Sequence, residues 1–195
     1  MDKNNDRIRK HLRESSDIIS KLVDSADTIW EAVDCIIDSL KAGGKVLLCG
    51  NGGSAADSQH IAAELVGRFE KDRKALPALA LTTDTSILTA VSNDYGFAHI
   101  FYRQVEAMGK KGDVLMGLST SGKSENVRLA LKKAKELQLH TISLIGNNLD
   151  CPLSEFSDII ISIPSSYTPY IQEAHITIGH IICDLVENHF FKDIV

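Results

Sequence analysis

His60 and Glu64 stand four positions apart in one short stretch. On a helix that spacing puts an imidazole and a carboxylate on one face, one turn apart. Such a pair can bind zinc or move protons, and it is also the ordinary pattern of a surface ion pair. Far along the chain, Gln172, Glu173, His175 and His180 lie among Ile171, Ile176, Ile178, Ile181 and Ile182. Imidazoles in so apolar a stretch need partners, by default a backbone carbonyl. Gln172 and His180 are eight residues apart, about 12 Å along a helix axis. Zinc–ligand bonds are only about 2 Å, so one straight helix does not bring both to one ion. A shared site requires either that the helix start after Gln172 or that two subunits contribute. This favours an oligomer with sites at subunit boundaries.

Two other stretches suit an anion. Residues 50–54 read Gly-Asn-Gly-Gly-Ser, a run of backbone N–H groups with little side-chain bulk leading into a helix. It fits a phosphate or a sugar hydroxyl, and equally a tight turn that needs glycine. Residues 119–124 add the hydroxyls of Ser119, Thr120, Ser121 and Ser124, again just before a helix. Residues 117–124 also match G-x-x-x-x-G-K-[S/T] between strand and helix. A nucleotide hydrolase needs, in addition, a magnesium-holding Asp at the end of another apolar strand. No predicted strand ends in one; Asp84 comes nearest, two polar residues late.

These residues hang on an alternating frame. Helical spacing predicts helices over 6–24 and 26–42, the second stopped by Gly43-Gly44. Short apolar runs at 45–49, 78–81, 114–118, 141–145 and 159–163 predict strands. Between and after them, helices are expected over 54–65, 85–92, 98–109, 124–137 and 168–190. Ser54 through Asp57 resemble a capping box opening the first of these. Alternation of this kind implies an α/β fold with a parallel sheet covered by helices on both faces. Ligands bind such folds at the carboxyl ends of the strands, where both polar loops fall.

The 195 residues suggest one domain, 44% hydrophobic and 24% charged, with net charge −5. That balance argues against a nucleic-acid footprint. No apolar run approaches a membrane span, and the first residues lack the apolar core of a signal peptide. Cys35, Cys49, Cys151 and Cys183 include no C-x-x-C pair and read as buried thiols of a reducing cytosol.

The stretches KAGGKVLLCGNGGSAADSQHIAAELVGRF (41–69), VSNDYGF (91–97), GDVLMGLSTSGKSENV (112–127) and IQEAHITIGH (171–180), taken in order, resemble the sugar isomerase (SIS) domain family. Within it they resemble the branch that isomerises sedoheptulose 7-phosphate. The resemblance covers essentially the whole chain. It implies a three-layer SIS (flavodoxin-like) sandwich over 1–195, with N-terminal helices (1–42) in oligomer contacts and an α/β core over 43–195. It implies conversion of sedoheptulose 7-phosphate to D-glycero-D-manno-heptose 7-phosphate, opening the ADP-heptose route to lipopolysaccharide core or capsule. A cytoplasmic homotetramer with sites between subunits is expected, with one zinc ion per subunit and neither nucleic acid nor membrane as a partner.

By position, the implied metal ligands are His60, Glu64, Gln172 and His180. The implied substrate contacts are Asn51, Gly52, Gly53, His60, Glu64, Asn93, Asp94, Ser119, Thr120, Ser121, Ser124 and Gln172. Glu64 is the expected base at carbon and His180 the expected partner for the two oxygens, across a cis-enediol. Zinc would polarise the carbonyl, yet on Glu64 it would lower that group's basicity. Either the metal sits weakly or Glu64 leaves it during turnover. Lys123 stands where the family often has Asn, and Tyr170 where Arg commonly precedes Ile-Gln-Glu. A non-catalytic branch that binds the replication initiator shows Gly-Thr-Ser in the glycine loop and lacks the catalytic Glu and His. The chain has Gly-Gly-Ser, Glu64 and His180.

Overall fold

The computed structural model describes residues 3–193. Five parallel strands, β1 (Val46–Gly50), β2 (Ala78–Ala80), β3 (Val114–Ser119), β4 (His140–Ile145) and β5 (Ile159–Ser162), form one sheet in the order β2-β1-β3-β4-β5. β1 and β3 are buried along their whole length, as parallel strands covered on both faces must be. Their side chains alternate between two cores. Val46, Leu48, Val114 and Met116 face one way, Leu47, Cys49 and Leu115 the other.

Helices α2 (Ala26–Lys41), α3 (Gly53–Val66) and α7 (Thr168–Phe191) cover the first face. Helices α5 (Ile100–Met108) and α6 (Glu125–Glu136) cover the second. α4 (Thr85–Tyr95) precedes α5 and is capped by Asp84, which accepts from the Ile87 N–H at 2.9 Å. The layers and strands are those the sequence predicts. After β1 the chain moves to one side for β2 and then to the other for β3, so the strand order reverses between β1 and β3. The crevice outside their carboxyl ends is where such sheets bind ligands.

The structure corrects two expectations. α1 (Lys3–Lys21) ends before the predicted boundary and passes into a 3-10 turn, Leu22–Ser25. It carries an apolar stripe but buries none of its residues; Ile8 and Leu12 are 56% and 67% exposed. Ile18 and Ile19, at the end of that stripe, pack half-buried against the first core, whereas Ile8 and Leu12 are left uncovered. The capping box at Ser54 does not form. Gly52, at φ +56°, caps α3 instead, so Ser54 already lies inside the helix and its carbonyl accepts from Ser58 Oγ at 2.8 Å. A glycine in the left-handed region turns the chain tightly enough to move the cap two residues upstream, from Ser54 to Gly52.

Cys49, Cys151 and Cys183 are buried, Cys35 is half-buried, and all four are free thiols. Burial pushes Cys49 and Cys183 up to about 12. No helix of the described residues is long and apolar enough to cross a membrane.

Candidate functional site

The two polar loops meet at the β1/β3 crevice. Asn51, just past β1, and Asn126, in the first turn of α6, exchange side-chain amide hydrogen bonds of 2.9 and 2.8 Å. Asn126 is buried, and the sequence reading passed over it; its place inside a stretch that carries the family resemblance was the available signal. Across the same loop Ser119 and Ser124 share a hydroxyl bond of 2.9 Å, so the α6 N-cap Ser124 does not cap its own helix. Gly122, at φ +65°, closes the turn by donating to the Ser119 carbonyl at 3.1 Å. Thr120 is held by its carbonyl, which accepts from the Gly146 N–H at 3.1 Å, while Ser121 Oγ accepts from the Lys123 N–H at 3.2 Å.

The nucleotide-loop lookalike fails here on geometry. Its first glycine, Gly117, lies inside β3, where an added methyl would come 2.8 Å from Val127. The turn that remains runs only over 120–124. Asp84, the nearest candidate for magnesium, is spent on capping α4.

Gln172 approaches the glycine loop from α7: a side chain on Gly53 would collide with its amide. α7 begins at Thr168, so Gln172 is already helical. The alternative of a later helix start is thereby removed, and about 12 Å of helix axis separates Gln172 from His180 in one chain. Asn93 and Asp94 sit near the end of α4 and are exposed; the Asn93 amide donates to Asp94 at 2.8 Å.

Further along, α3 and α7 converge. A methyl on Gly179 would lie 2.7 Å from the Ile61 side chain, so with Ile61 in place the approach depends on glycine. One residue beyond on α7, and one before on α3, His180 and His60 meet with ring nitrogens 3.4 Å apart and rings 72° from parallel. Glu64 Oε1 lies 3.1 Å from His60 Nε2. Ligand atoms of His60, Glu64 and His180 all fall within 4.8 Å of one another. Tetrahedral bonds of about 2 Å place neighbouring ligand atoms about 3.3 Å apart, and the two spacings that involve His60, 3.4 Å to His180 and 3.1 Å to Glu64, match it. Two imidazoles and a carboxylate are also the donor set of open, catalytic zinc sites. The residues therefore fit the ion.

Asp57 stands one turn before His60 on α3. Its Oδ2 is buried without a hydrogen-bond partner among the described residues. Burial pushes the carboxyl up to about 6, with the His60 charge pulling against it. The sequence reading treated Asp57 as a capping residue and so missed an acid beside the cluster. His175 is the core histidine the sequence suggested, with Nε2 3.4 Å from the Ile145 carbonyl; its Nδ1 is buried without a hydrogen-bond partner among the described residues, and burial drives the ring down to about 4. Tyr170 turns away from the site. Its hydroxyl lies 2.8 Å from His11 Nδ1 and donates to Glu14 at 2.9 Å, tying α7 to α1.

A sequence profile of the SIS domain matches residues 10–146. The phosphoheptose isomerase of Clostridium acetobutylicum is 56% identical over 167 residues, 86% of this chain and 85% of that protein. Among solved structures, the phosphoheptose isomerase of Neisseria gonorrhoeae superposes with TM-score 0.89 at 41% identity, covering 94% of this chain and 98% of the other. That of Francisella tularensis does so with TM-score 0.91 at 36% identity, covering 96% and 100%.

Proposed function

The chain belongs to the SIS domain family, and from that premise we propose that it is an aldose–ketose isomerase. It interconverts sedoheptulose 7-phosphate and D-glycero-D-manno-heptose 7-phosphate, the first step toward ADP-heptose for lipopolysaccharide core or capsule. The observation that carries the reading is the meeting of Glu64 with His180, 116 positions apart in sequence, in one cluster with His60.

Isomerisation moves a hydrogen between C1 and C2. Glu64 takes the C1 proton as the C2 oxygen gains one, giving a cis-enediol; the C1 oxygen then loses its proton as C2 gains one. His180 shuttles protons at the two oxygens, work suited to an imidazole near neutral pH. Ser119, Thr120, Ser121, Ser124 and the open first turn of α6 hold the phosphate. Asn51, Gly52, Gly53, Asn93, Asp94 and Gln172 bind the sugar. His60, Glu64 and His180 would hold zinc, with Gln172 as a fourth ligand. When bound, zinc supplies Lewis-acid polarisation of the substrate carbonyl.

Two observations support sites shared between copies of the chain. Gln172 and His180 of one copy lie too far apart along α7 for one ion, so Gln172 would come from a neighbour. In addition, an apolar groove of about 320 Å³, lined by Leu22, Val23, Ile29, Trp30 and Ile181, lies open beside α1. Val23 and Trp30 are 76% and 52% exposed, the kind of patch that marks an interface. A homotetramer built on the N-terminal helices (1–42) around a core of 43–195 accounts for both. Phosphorylated sugars are cytoplasmic metabolites, and the enzyme belongs in the same compartment.

Incubation with sedoheptulose 7-phosphate, with and without added zinc, followed by NMR, tests the reading. Aldose signals are expected, faster with zinc. Their absence under both conditions overturns it.

A further inference from the structure

Behind the cluster lies an ionic node that the chemistry above leaves unused. Arg73 and Glu187 pair at 2.7 Å with side chains 0% and 2% exposed. A buried ion pair is weak evidence for stability, because desolvation offsets most of the attraction. Its geometry points elsewhere.

Glu187 Oε1 accepts from the Phe69 N–H at 3.1 Å and from Arg73 Nε at 2.7 Å. Its Oε2 accepts from the N–H groups of Glu70 and Lys71 at 2.7 and 3.0 Å. Burial pushes this carboxyl up, but the backbone donors of Glu70, Lys71 and Phe69 and the Arg73 guanidinium outweigh it and hold the group at about 2. The segment after α3 is thus wrapped around a carboxylate anchored on α7.

Arg73 turns its remaining donors on the end of α3. Nη2 donates to the Glu64 carbonyl at 2.9 Å and Nη1 to the Leu65 carbonyl at 2.7 Å. These belong to the last four carbonyls of the helix, which lack partners within it, and a cation there also suits the helix dipole. The guanidinium therefore grips the backbone of Glu64 itself. Phe69, whose N–H is held by Glu187, lays its ring 5.8 Å from the ring of His180. Glu187 follows His180 by seven residues on α7, about two turns, and so shares its face.

We propose that Arg73 and Glu187 are positioning residues: through the Glu64 carbonyl and the Phe69 ring they set Glu64 against His180. This rests on the isomerase reading above. Misplacing a reacting group by about 1 Å costs on the order of 10²-fold in rate. Loss of groups that orient metal ligands costs about 10–100-fold in metal affinity or activity.

The test compares Arg73→Lys, Arg73→Met, Glu187→Gln and Phe69→Leu in the full chain, with folding checked by circular dichroism. Arg73→Met and Glu187→Gln should lose about 10–100-fold in kcat, with KM for sedoheptulose 7-phosphate within about threefold of the parent, the pattern of a lost transition-state interaction. Arg73→Lys, which keeps the cation but not the fork, should recover part of the loss. Phe69→Leu should lose several-fold. Zn²⁺ affinity, read by chelator competition, should fall in parallel. A purely structural pair would lower the amount of folded protein and leave kcat per folded chain unchanged. Should the Met and Gln variants not fold, Arg73→Lys and Phe69→Leu decide. Folded variants with kcat and zinc affinity within twofold of the parent overturn the proposal, as does a rise in KM alone. If the parent itself isomerises nothing, the isomerase reading fails, and zinc affinity across the variants still judges the pair.

Discussion

At its first turn α3 offers backbone; seven to eleven residues further on it offers side chains. Gly52 and Gly53 start the helix with small residues and one positive φ, and what they present is a row of N–H groups. His60 and Glu64 present an imidazole and a carboxylate, and these gain meaning only because His180 comes within 3.4 Å of His60. About 10 Å of helix axis separates Gly53 from His60. The turn at the first end is set by local chain geometry, with Gln172 and Asn126 closing on it, whereas the second end exists only through the packing of two helices remote in sequence. A local site tolerates change elsewhere in the fold, whereas a packed one inherits every error in the contact that makes it.

That contrast can be broken most sharply at the packed end. Glu64→Gln and His180→Gln should each lower turnover by about 10²–10⁴-fold while circular dichroism remains that of the parent. Near-normal turnover in both would remove their roles. Gly179→Val attacks the contact without touching a reacting group. Its methyls have no room beside Ile61, and overpacking a core costs about 1–3 kcal/mol. We expect turnover to drop about tenfold, with partial recovery in the double variant Gly179→Val/Ile61→Ala. Inhibition by inorganic phosphate should not change, because the loops proposed to hold the anion lie at the other end.

The converse experiment is gentler. Asn126→Ala unlinks the two anion loops by removing the amide pair with Asn51. Loss of a buried pair of hydrogen bonds costs about 1–3 kcal/mol. KM for the sugar phosphate should rise by about tenfold, with kcat changed less than threefold. A kcat effect that matched or exceeded the KM effect would show that the two ends of α3 are not separable.

Much of the frame was legible because its signals are local. Apolar runs in β1 and β3, glycines after them and periodic apolar stripes in α2 and α7 each follow from short-range rules. The capping box was misread for the same reason: Ser54 and Asp57 satisfy the pattern, but the left-handed turn at Gly52 pre-empts it. Asn126 was passed over, and Asp57 was read only as a cap, because nothing in their neighbours says that one is paired and that the other buries a carboxyl oxygen. Tyr170 was an unexplained departure until α1 supplied His11 and Glu14. The P-loop pattern in 117–124 matched in letters and failed in space, since Gly117 is consumed by β3.

Residue types and spacing alone determined the alternating α/β order, the two polar loops proposed to hold the anion, and the family resemblance that the comparisons later bore out. They also set the conflict between Gln172 and His180, which is arithmetic on a helical rise. Only the tertiary structure decided that α7 is already helical at Gln172, that His180 joins His60 and Glu64, and that Arg73 closes on the Glu64 carbonyl from behind. The reason is physical. Turns and helices are governed by interactions within a few residues, whereas a meeting of groups over a hundred positions apart depends on how closely two helices pack, and here that closeness hangs on the missing side chain of Gly179.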